Sequence, residues 1–165
     1  MISHPHQTSS MRRLSLALLV SLIIGCRPAA GPMDAARLRD FAAGYTAAWG
    51  SQDAARVASF FEENGSLTIN RDAPAIGRKA ITASAQRFMT AFPDLVVRMD
   101  TLEVEGDRIV YRWTLTGTNN GPGGTGRPVR ISGYEEWSIG ADGLVAQSLG
   151  HFDEADYRRQ VQSTR

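Results

Sequence analysis

The sequence predicts an α+β fold in which helices cover one face of a curved antiparallel sheet. Two observations predict it. Apolar residues recur at helical spacing as far as Phe92, and from Leu95 onward they alternate with a period of two. At 165 residues, the chain is long enough for one domain and a tail. A sheet of this kind can enclose a pocket between itself and the helices.

Capping and turn residues mark the ends of the predicted elements. Asp34 can cap the first helix and Asp153 the last, while Pro93 and Asp94 end the third. The predicted helices are Asp34 to about Gly50, Ala54 to about Glu63, a third between Gly77 and Phe92, and Glu154 to Val161. The predicted strands are Ser66–Asn70, Leu95–Glu105, Arg108–Asn119, Pro128–Ile139 and Leu144–Phe152.

Composition excludes several classes of protein. Eighteen basic and seventeen acidic residues give a net charge of +1, so no strong field draws the chain to nucleic acid. The proportions of hydrophobic and charged residues, 42% and 21%, are typical of a globular chain rather than a disordered one. A single cysteine excludes an intramolecular disulfide and a zinc site made of cysteine pairs.

The first 25 residues are predicted to be a signal segment rather than part of the fold. Arg12 and Arg13 precede an apolar run, Leu14–Ile24, that would span about 16 Å as a helix, too little to cross a bilayer. The tetrad from Ile23 to Cys26 resembles a bacterial lipobox, which implies cleavage before Cys26, a lipid on its sulfur and a membrane-tethered, exported protein. A plain secretion signal with an unrelated cysteine is the alternative, and the start could be Met1 or Met11.

Cleavage would leave a tether, residues 26–33, and a domain, residues 34–161. His151 would then be the only histidine, because His4 and His6 precede the cut. A site of several histidines within one chain is therefore excluded, and we expect neither a metal nor a cofactor.

Three segments carry a family resemblance. They are Phe41–Trp49 with Asp53 and Phe60-Phe61; Phe92–Leu95 with Glu105–Thr118; and Thr125–Ile131 with Asp142–Val145. Together, over about residues 34–160, they resemble the nuclear-transport-factor-two-like superfamily and its SnoaL-like polyketide cyclase branch. The resemblance implies a cone-shaped α+β barrel, an internal apolar pocket and often a homodimer formed through the sheet.

The sequence departs from the cyclase branch at three places. Asn119 stands where a histidine usually follows Gly-Thr, and Glu135 stands where an aspartate often occurs. The segment Gln147-Ser148-Leu149 replaces a usual Glu-His-Trp. Because this fold hosts isomerases, cyclases, hydrolases and binders, the resemblance specifies the fold more than the chemistry.

The last hairpin decides which side chains share the inner face of the sheet. A turn over Ala141–Gly143 with Gly143 left-handed adds a bulge and fixes the register. The predicted pairs are Trp137 with Gln147, Glu135 with Leu149, and Gly133 with His151. This register makes Glu135 and His151 diagonal neighbours on an apolar surface. A shift by one residue would instead bring Ser148 beside Glu135 and turn His151 to the other face.

Three residues are candidates for acid–base chemistry. Glu135 would be the acid or base, since an apolar pocket raises the pKa of a carboxyl group, and His151 would be its partner. Tyr45 lies in a Tyr-x-x-Ala frame that resembles ketosteroid isomerases, which implies a donor to an oxyanion. Alternatively, Glu135 and His151 form a structural pair and Tyr45 is a core residue.

Two functions fit these residues. The first is a binding domain that holds a small apolar molecule without clear turnover. The second is a cofactor-free isomerase, cyclase or hydratase that moves a proton on a carbonyl compound. In both, we expect the pocket to include Trp113, Trp137, Gln147 and Asn119, although the two tryptophans could equally be core residues.

Overall fold

The computed structural model describes residues 33–162 together with Met1. The predicted signal segment and Cys26 lie outside these residues. The helices are α1 (Ala35–Gly50), α2 (Ala54–Ala58), α3 (Gly77–Ala91) and α4 (Glu154–Val161). The strands are β1 (Phe61–Ile69), β2 (Ala75–Ile76), β3 (Val96–Glu105), β4 (Arg108–Thr118), β5 (Pro128–Ile139) and β6 (Val145–Phe152). The predicted α+β class is confirmed.

Aspartate side chains cap three of the helices. Asp34 accepts a hydrogen bond from the backbone N–H of Arg37 at 2.9 Å, and Asp153 accepts one from Asp156 at 2.9 Å. Asp53 caps α2 in the same way. The helix starts predicted from Asp34 and Asp153 are therefore confirmed. In the part of the chain described, no helix has the length and apolarity needed to cross a membrane.

The second helix is shorter than predicted. It ends at Ala58 rather than near Glu63, and β1 begins at Phe61. Phe61 is fully buried and lies opposite Val145 in the sheet, so burial of this aromatic ring outweighs the helical pattern of the preceding residues.

The six strands form one mixed sheet in the order β2-β1-β6-β5-β4-β3. From β3 to β6 each strand runs antiparallel to the next, as predicted. The expectation of a wholly antiparallel sheet is corrected at one pair, because β1 lies parallel to β6. A parallel pair needs a long connection, and α3 with the whole meander supplies it.

The inner face of the sheet carries the core. In β4 and β5, Tyr111 lies opposite Glu135, and Ile109 lies opposite Trp137. Tyr111 and Trp137 are fully buried, and their rings stack with centroids 4.7 Å apart. Residues of α1, α2 and α3 join the same buried cluster, so these helices cover the face that holds Glu135.

The register of the last hairpin differs from the favoured prediction. The turn itself is as expected, since Gly143 has φ +79° and Ile139 lies opposite Val145. A second bulge then follows, because Ser138 pairs with Gln147 and leaves Ala146 as an extra residue.

This second bulge moves every later pair by one residue. Glu135 lies opposite Gly150 and not Leu149, and Tyr134, not Gly133, lies opposite His151. The favoured register is therefore wrong from Gln147 onward, and the alternative that brings Ser148 beside Glu135 is confirmed. The bulge leaves the polar Gln147 exposed rather than buried, which is the physical reason for the shift.

Gly133 leaves room for the indole ring of Trp113. A Cβ atom at this position would lie 2.6 Å from Cζ2 of Trp113 and would also clash with the backbone oxygen of His151. The glycine therefore sets how closely the Trp113 ring packs on β5.

We predict that Gly133→Ala lowers the free energy of unfolding by about 1–3 kcal/mol, because the methyl group overpacks the site. Gly50→Ala is the matched control, since a Cβ there meets nothing within 4 Å at the end of α1. It should leave stability unchanged or raise it by up to about 1 kcal/mol. Urea denaturation measures both, and equal stabilities for the two variants would contradict this account of Gly133.

Candidate functional site

An apolar cavity of about 50 Å³ lies between the sheet and the helices. Aromatic side chains from four elements line it, together with several aliphatic ones. The aromatic residues are Trp49 of α1, Phe88 of α3, Tyr111 and Trp113 of β4, and Phe152 of β6; the aliphatic ones are Leu67, Ile69, Val97 and Leu115. Glu135 has the one carboxyl group of this lining, so the cavity is apolar with a single carboxyl group.

Glu135 lines the cavity beside a glycine of β6. It lies opposite Gly150, and a Cβ atom on that glycine would lie 3.6 Å from Cγ of Glu135. Only 6% of the glutamate is exposed to solvent. The carboxyl group is thus held among apolar groups at a fixed place on the inner face.

Three neutral donors hold this carboxyl group. Its Oε2 atom accepts hydrogen bonds from Tyr45 Oη at 3.0 Å, Trp137 Nε1 at 2.8 Å and Ser148 Oγ at 2.7 Å. Its Oε1 atom has one long contact, 3.3 Å from the same Tyr45 hydroxyl. Oε2 is therefore saturated, whereas Oε1 keeps capacity to accept a further hydrogen bond.

Burial and hydrogen bonding oppose each other in setting the ionisation of Glu135. Loss of hydration raises the pKa of Glu135 above its ordinary value of 4.5, while the bonds from Trp137, Ser148 and Tyr45 lower it. Burial also raises the pKa of Tyr45, and the nearby Glu135 charge raises it further. Among the ion pairs of residues 33–162, none includes Glu135. In its ionised form, Glu135 would therefore be buried without a counter-ion among the described residues.

The structure brings Tyr45 and Glu135 together, but not in the predicted arrangement. Tyr45 is fully buried and does not line the cavity, and its hydroxyl group donates a hydrogen bond to Glu135. A hydroxyl group engaged in this way orients the carboxylate rather than facing a ligand. The oxyanion role of Tyr45 does not fit this geometry.

His151 does not lie beside Glu135. It lies on the outer face of the sheet, where its ring stacks on Tyr134 with centroids 4.9 Å apart. The guanidinium group of Arg112 covers the same Tyr134 ring at 5.5 Å. The predicted pairing of Glu135 with His151 is wrong, because the extra residue Ala146 turns the histidine to the other side.

The structure places the four predicted pocket residues in different environments, and only one of them lines the cavity. Trp113 lines the cavity, and its Nε1 atom is buried without a hydrogen-bond partner. Trp137 is a fully buried core residue that holds Glu135 and does not line the cavity. Gln147 is exposed, and Asn119 accepts a hydrogen bond from Thr125 N at 2.9 Å within its own loop. Neither of these two lines the cavity, so their assignment to the pocket is wrong.

Sequence reasoning missed several residues of the site. Only the alternative register of the last hairpin predicts that Ser148 lies beside Glu135. Trp49 and Phe88 lie within the predicted first and third helices, and Phe152 ends the last predicted strand. Apolar spacing predicts that such residues are buried, but it does not tell a cavity lining from a filled core.

A polar groove of about 330 Å³ adjoins the cavity. The two spaces share Ile69, Phe88 and Phe152, so these side chains separate the cavity from the groove. Charged residues of the groove are Arg71, Asp72, Arg87, Glu154 and Arg158. Across the described ranges, no three His, Cys, Asp or Glu side chains are grouped so as to hold a metal ion.

The fold is the one shared by solved proteins described as ketosteroid isomerase-like and NTF2-like. The sequence profile of the SnoaL-like polyketide cyclase family matches residues 39–161. This chain therefore belongs to the SnoaL-like polyketide cyclase family. None of the curated proteins matches the chain.

Solved structures share the fold at low sequence identity. TsrD from Streptomyces laurentii is 25% identical with a TM-score of 0.67, over 78% of this chain and 97% of that one. A protein with a ketosteroid isomerase-like fold from Catenulispora acidiphila, in complex with trimethylamine, is 14% identical with a TM-score of 0.66, over 74% and 92%. An NTF2-like protein from Burkholderia pseudomallei is 17% identical with a TM-score of 0.65, over 76% and 97%.

Glu135 should make stability depend on pH in a defined direction. Because its pKa is higher in the folded chain than the ordinary 4.5, the folded state binds the proton more tightly. The free energy of unfolding should therefore fall as pH rises from about 4.5 to the folded-state pKa. Glu135→Gln cannot ionise, so the stability of the natural chain relative to this variant should decrease over that range in urea denaturation.

The matched control is Glu136→Gln on the outer face of the same strand, where Glu136 pairs with Arg108. The stability of the natural chain relative to this control should not fall as pH rises. A flat difference between the natural chain and Glu135→Gln would show that burial does not perturb Glu135.

Proposed function

We propose that this domain binds a small, mostly apolar molecule in the cavity beside Glu135, without clear turnover. The observation that carries the proposal is an apolar cavity lining that contains one buried carboxyl group. Concave sites with apolar surroundings and few fixed polar groups are typical of ligand pockets. The trimethylamine complex of the Catenulispora acidiphila protein adds support, since that relative in fold holds a small molecule.

Binding is favoured over catalysis by the surroundings of Glu135. His151 lies on the other face of the sheet, and the hydroxyl group of Tyr45 already donates a hydrogen bond to the carboxyl group of Glu135. The one free acceptor position is Oε1. Among the described residues, the cavity lining therefore has one carboxyl group and no histidine or second acid beside it, whereas acid–base catalysis usually combines several groups.

The alternative is a cofactor-free isomerase, cyclase or hydratase acting on a carbonyl compound. One observation favours it: burial raises the pKa of Glu135 above 4.5, and Oε1 can exchange a proton with a ligand in the cavity. In that case Glu135 would be the acid or base and Tyr45, Trp137 and Ser148 would orient it. Turnover that Glu135→Gln abolishes, with binding retained, would favour this alternative.

Gly150→Ala tests the binding proposal, because its methyl group would enter the lining next to Glu135. We expect ligands found by native mass spectrometry to bind the natural chain and to bind this variant at least tenfold more weakly. The indole N–H signals of Trp49 and Trp113 report occupancy in ¹H–¹⁵N spectra, since both side chains line the cavity. The Gly50→Ala control should bind as the natural chain does.

A ligand that binds Gly150→Ala as tightly as the natural chain, and leaves both indole signals unmoved, occupies another place. That result would contradict the proposed site.

Export and tethering complete the proposal. We propose that residues 1–25 are removed and that lipid on Cys26 holds the domain at a membrane of the cell envelope. Basic residues, an apolar run and Gly25-Cys26 support this. No nucleic-acid partner is proposed, because the net charge is close to zero.

In a bacterial host, the natural chain should sediment with membranes and carry lipid on an N-terminal Cys26, whereas Cys26→Ser should be released without lipid. Intact-mass analysis and membrane fractionation measure this. If both proteins are cleaved and neither carries lipid, the segment is a plain secretion signal.

We also propose a homodimer formed through the outer face of the sheet, as the family resemblance implies. On this face Arg112, Tyr134 and His151 stack in series. Ordered aromatic and arginine side chains of this kind are enriched at protein interfaces.

A further inference from the structure

Glu135 lacks the partner that a buried carboxylate normally has. Its three hydrogen-bond donors are neutral groups, and no ion pair of the described residues includes it. Buried charges in proteins are usually paired, since an unpaired one is costly. The missing positive charge can be a proton or a cationic ligand.

The geometry of the carboxyl group shows where that charge would be placed. Trp137 Nε1 can only donate, so Oε2 must accept from it, and the hydroxyl groups of Tyr45 and Ser148 complete its environment. Oε1 has only the 3.3 Å contact with Tyr45. A donor or cation approaching Glu135 from the cavity therefore meets Oε1.

The remainder of the lining suits an alkylated cation. Five aromatic side chains, those of Trp49, Phe88, Tyr111, Trp113 and Phe152, surround the cavity. Ring faces attract ammonium groups through the aromatic quadrupole, and such cages bind methylated ammonium ions. The same rings accept the alkyl carbons, so both parts of a small organic cation find suitable surroundings.

The size of the cavity and the charge at its border limit the ligand. A volume of about 50 Å³ admits only a few non-hydrogen atoms before side chains must move. The adjoining groove has three arginines and two acids, of which Arg158 and Glu154 pair with each other at 2.6 Å. The groove thus carries an excess of one positive charge, which salt screens, so it opposes a single positive charge only weakly.

We infer that the ligand of this cavity is a small alkylated cation, a methylated or short-chain ammonium group, whose nitrogen lies against Oε1 of Glu135 and whose carbons contact the aromatic lining. This inference rests on the proposed binding function and gives it a ligand class. Glu135 serves as the counter-ion, and Tyr45, Trp137 and Ser148 hold it in place.

The test compares two probes of the same shape, trimethylammonium chloride and the neutral 2-methylpropane. Each is titrated into the full-length chain while the indole N–H signals of Trp49 and Trp113 are followed, with sodium chloride at equal concentration as the salt control. The cation should bind at least tenfold more tightly than its neutral isostere, because only the cation can pair with Glu135.

Two variants assign the preference to the buried carboxylate. Glu135→Gln should bind the cation at least tenfold more weakly and leave the affinity for 2-methylpropane within about twofold. Glu136→Gln, which removes an equal charge from the outer face, should keep the full preference. Loss of the preference in the control would overturn the role of Glu135.

Phe88→Leu provides a second measurement if Glu135→Gln does not fold. Replacing an aromatic ring by an aliphatic group should reduce the ratio of cation to neutral affinity several-fold, and an unchanged ratio would contradict the aromatic part of the inference.

Equal affinities of the two probes for the natural chain would overturn the inference and leave the proposed function standing. If neither probe moves the indole signals, the cationic ligand class is overturned, and the native mass spectrometry described above tests the binding function separately.

Discussion

The burial of one carboxyl group is the constraint on which the site depends. Glu135 lies in the apolar interior, and three donors from α1, β5 and β6 converge on one of its oxygens. These bonds join the first helix to the last hairpin, since Tyr45 and Ser148 contact the same atom. The hydrogen bonds to Oε2 fix the position of this buried acid, so the packing of the core determines where the carboxyl group of the cavity lies.

The two faces of the sheet have separate roles. On the inner side, Glu135 and five aromatic side chains from the sheet, α1 and α3 line a small apolar cavity. On the outer face, Tyr134 and His151 stack beyond the reach of that space. Because the sheet separates the imidazole of His151 from Glu135, these two groups cannot exchange a proton directly, and this is the ground on which we propose binding rather than proton transfer. The family membership is compatible with either outcome, since one fold can serve both.

The order and bounds of most elements could be predicted because local rules determine them. Asp34 and Asp153 cap helices, and the period of two gives β3 to β6 within one residue or so. The predicted elements are wrong where contacts between residues distant in the chain outweigh the local pattern. Phe61 leaves the helical pattern to pair with Val145, and β1 lies parallel to β6 at the end of a long connection. Neither contact has a local signal, since each partner lies far away in the chain.

The sequence by itself determined the α+β class, the family resemblance and the burial of Glu135 on an apolar face. The structure alone decided which residues surround it. An extra residue at Ala146 exchanges the two faces of β6, which brings Ser148 and Gly150 to Glu135 and removes Gln147 and His151 from it. Side chains alternate along a strand, so a shift of one residue reverses every later position, and the bulge that causes it has almost no signature in composition or spacing. The register is the one that gives the whole core the greatest stability. That stability comes from contacts between residues far apart in the chain, so local sequence patterns do not reveal it.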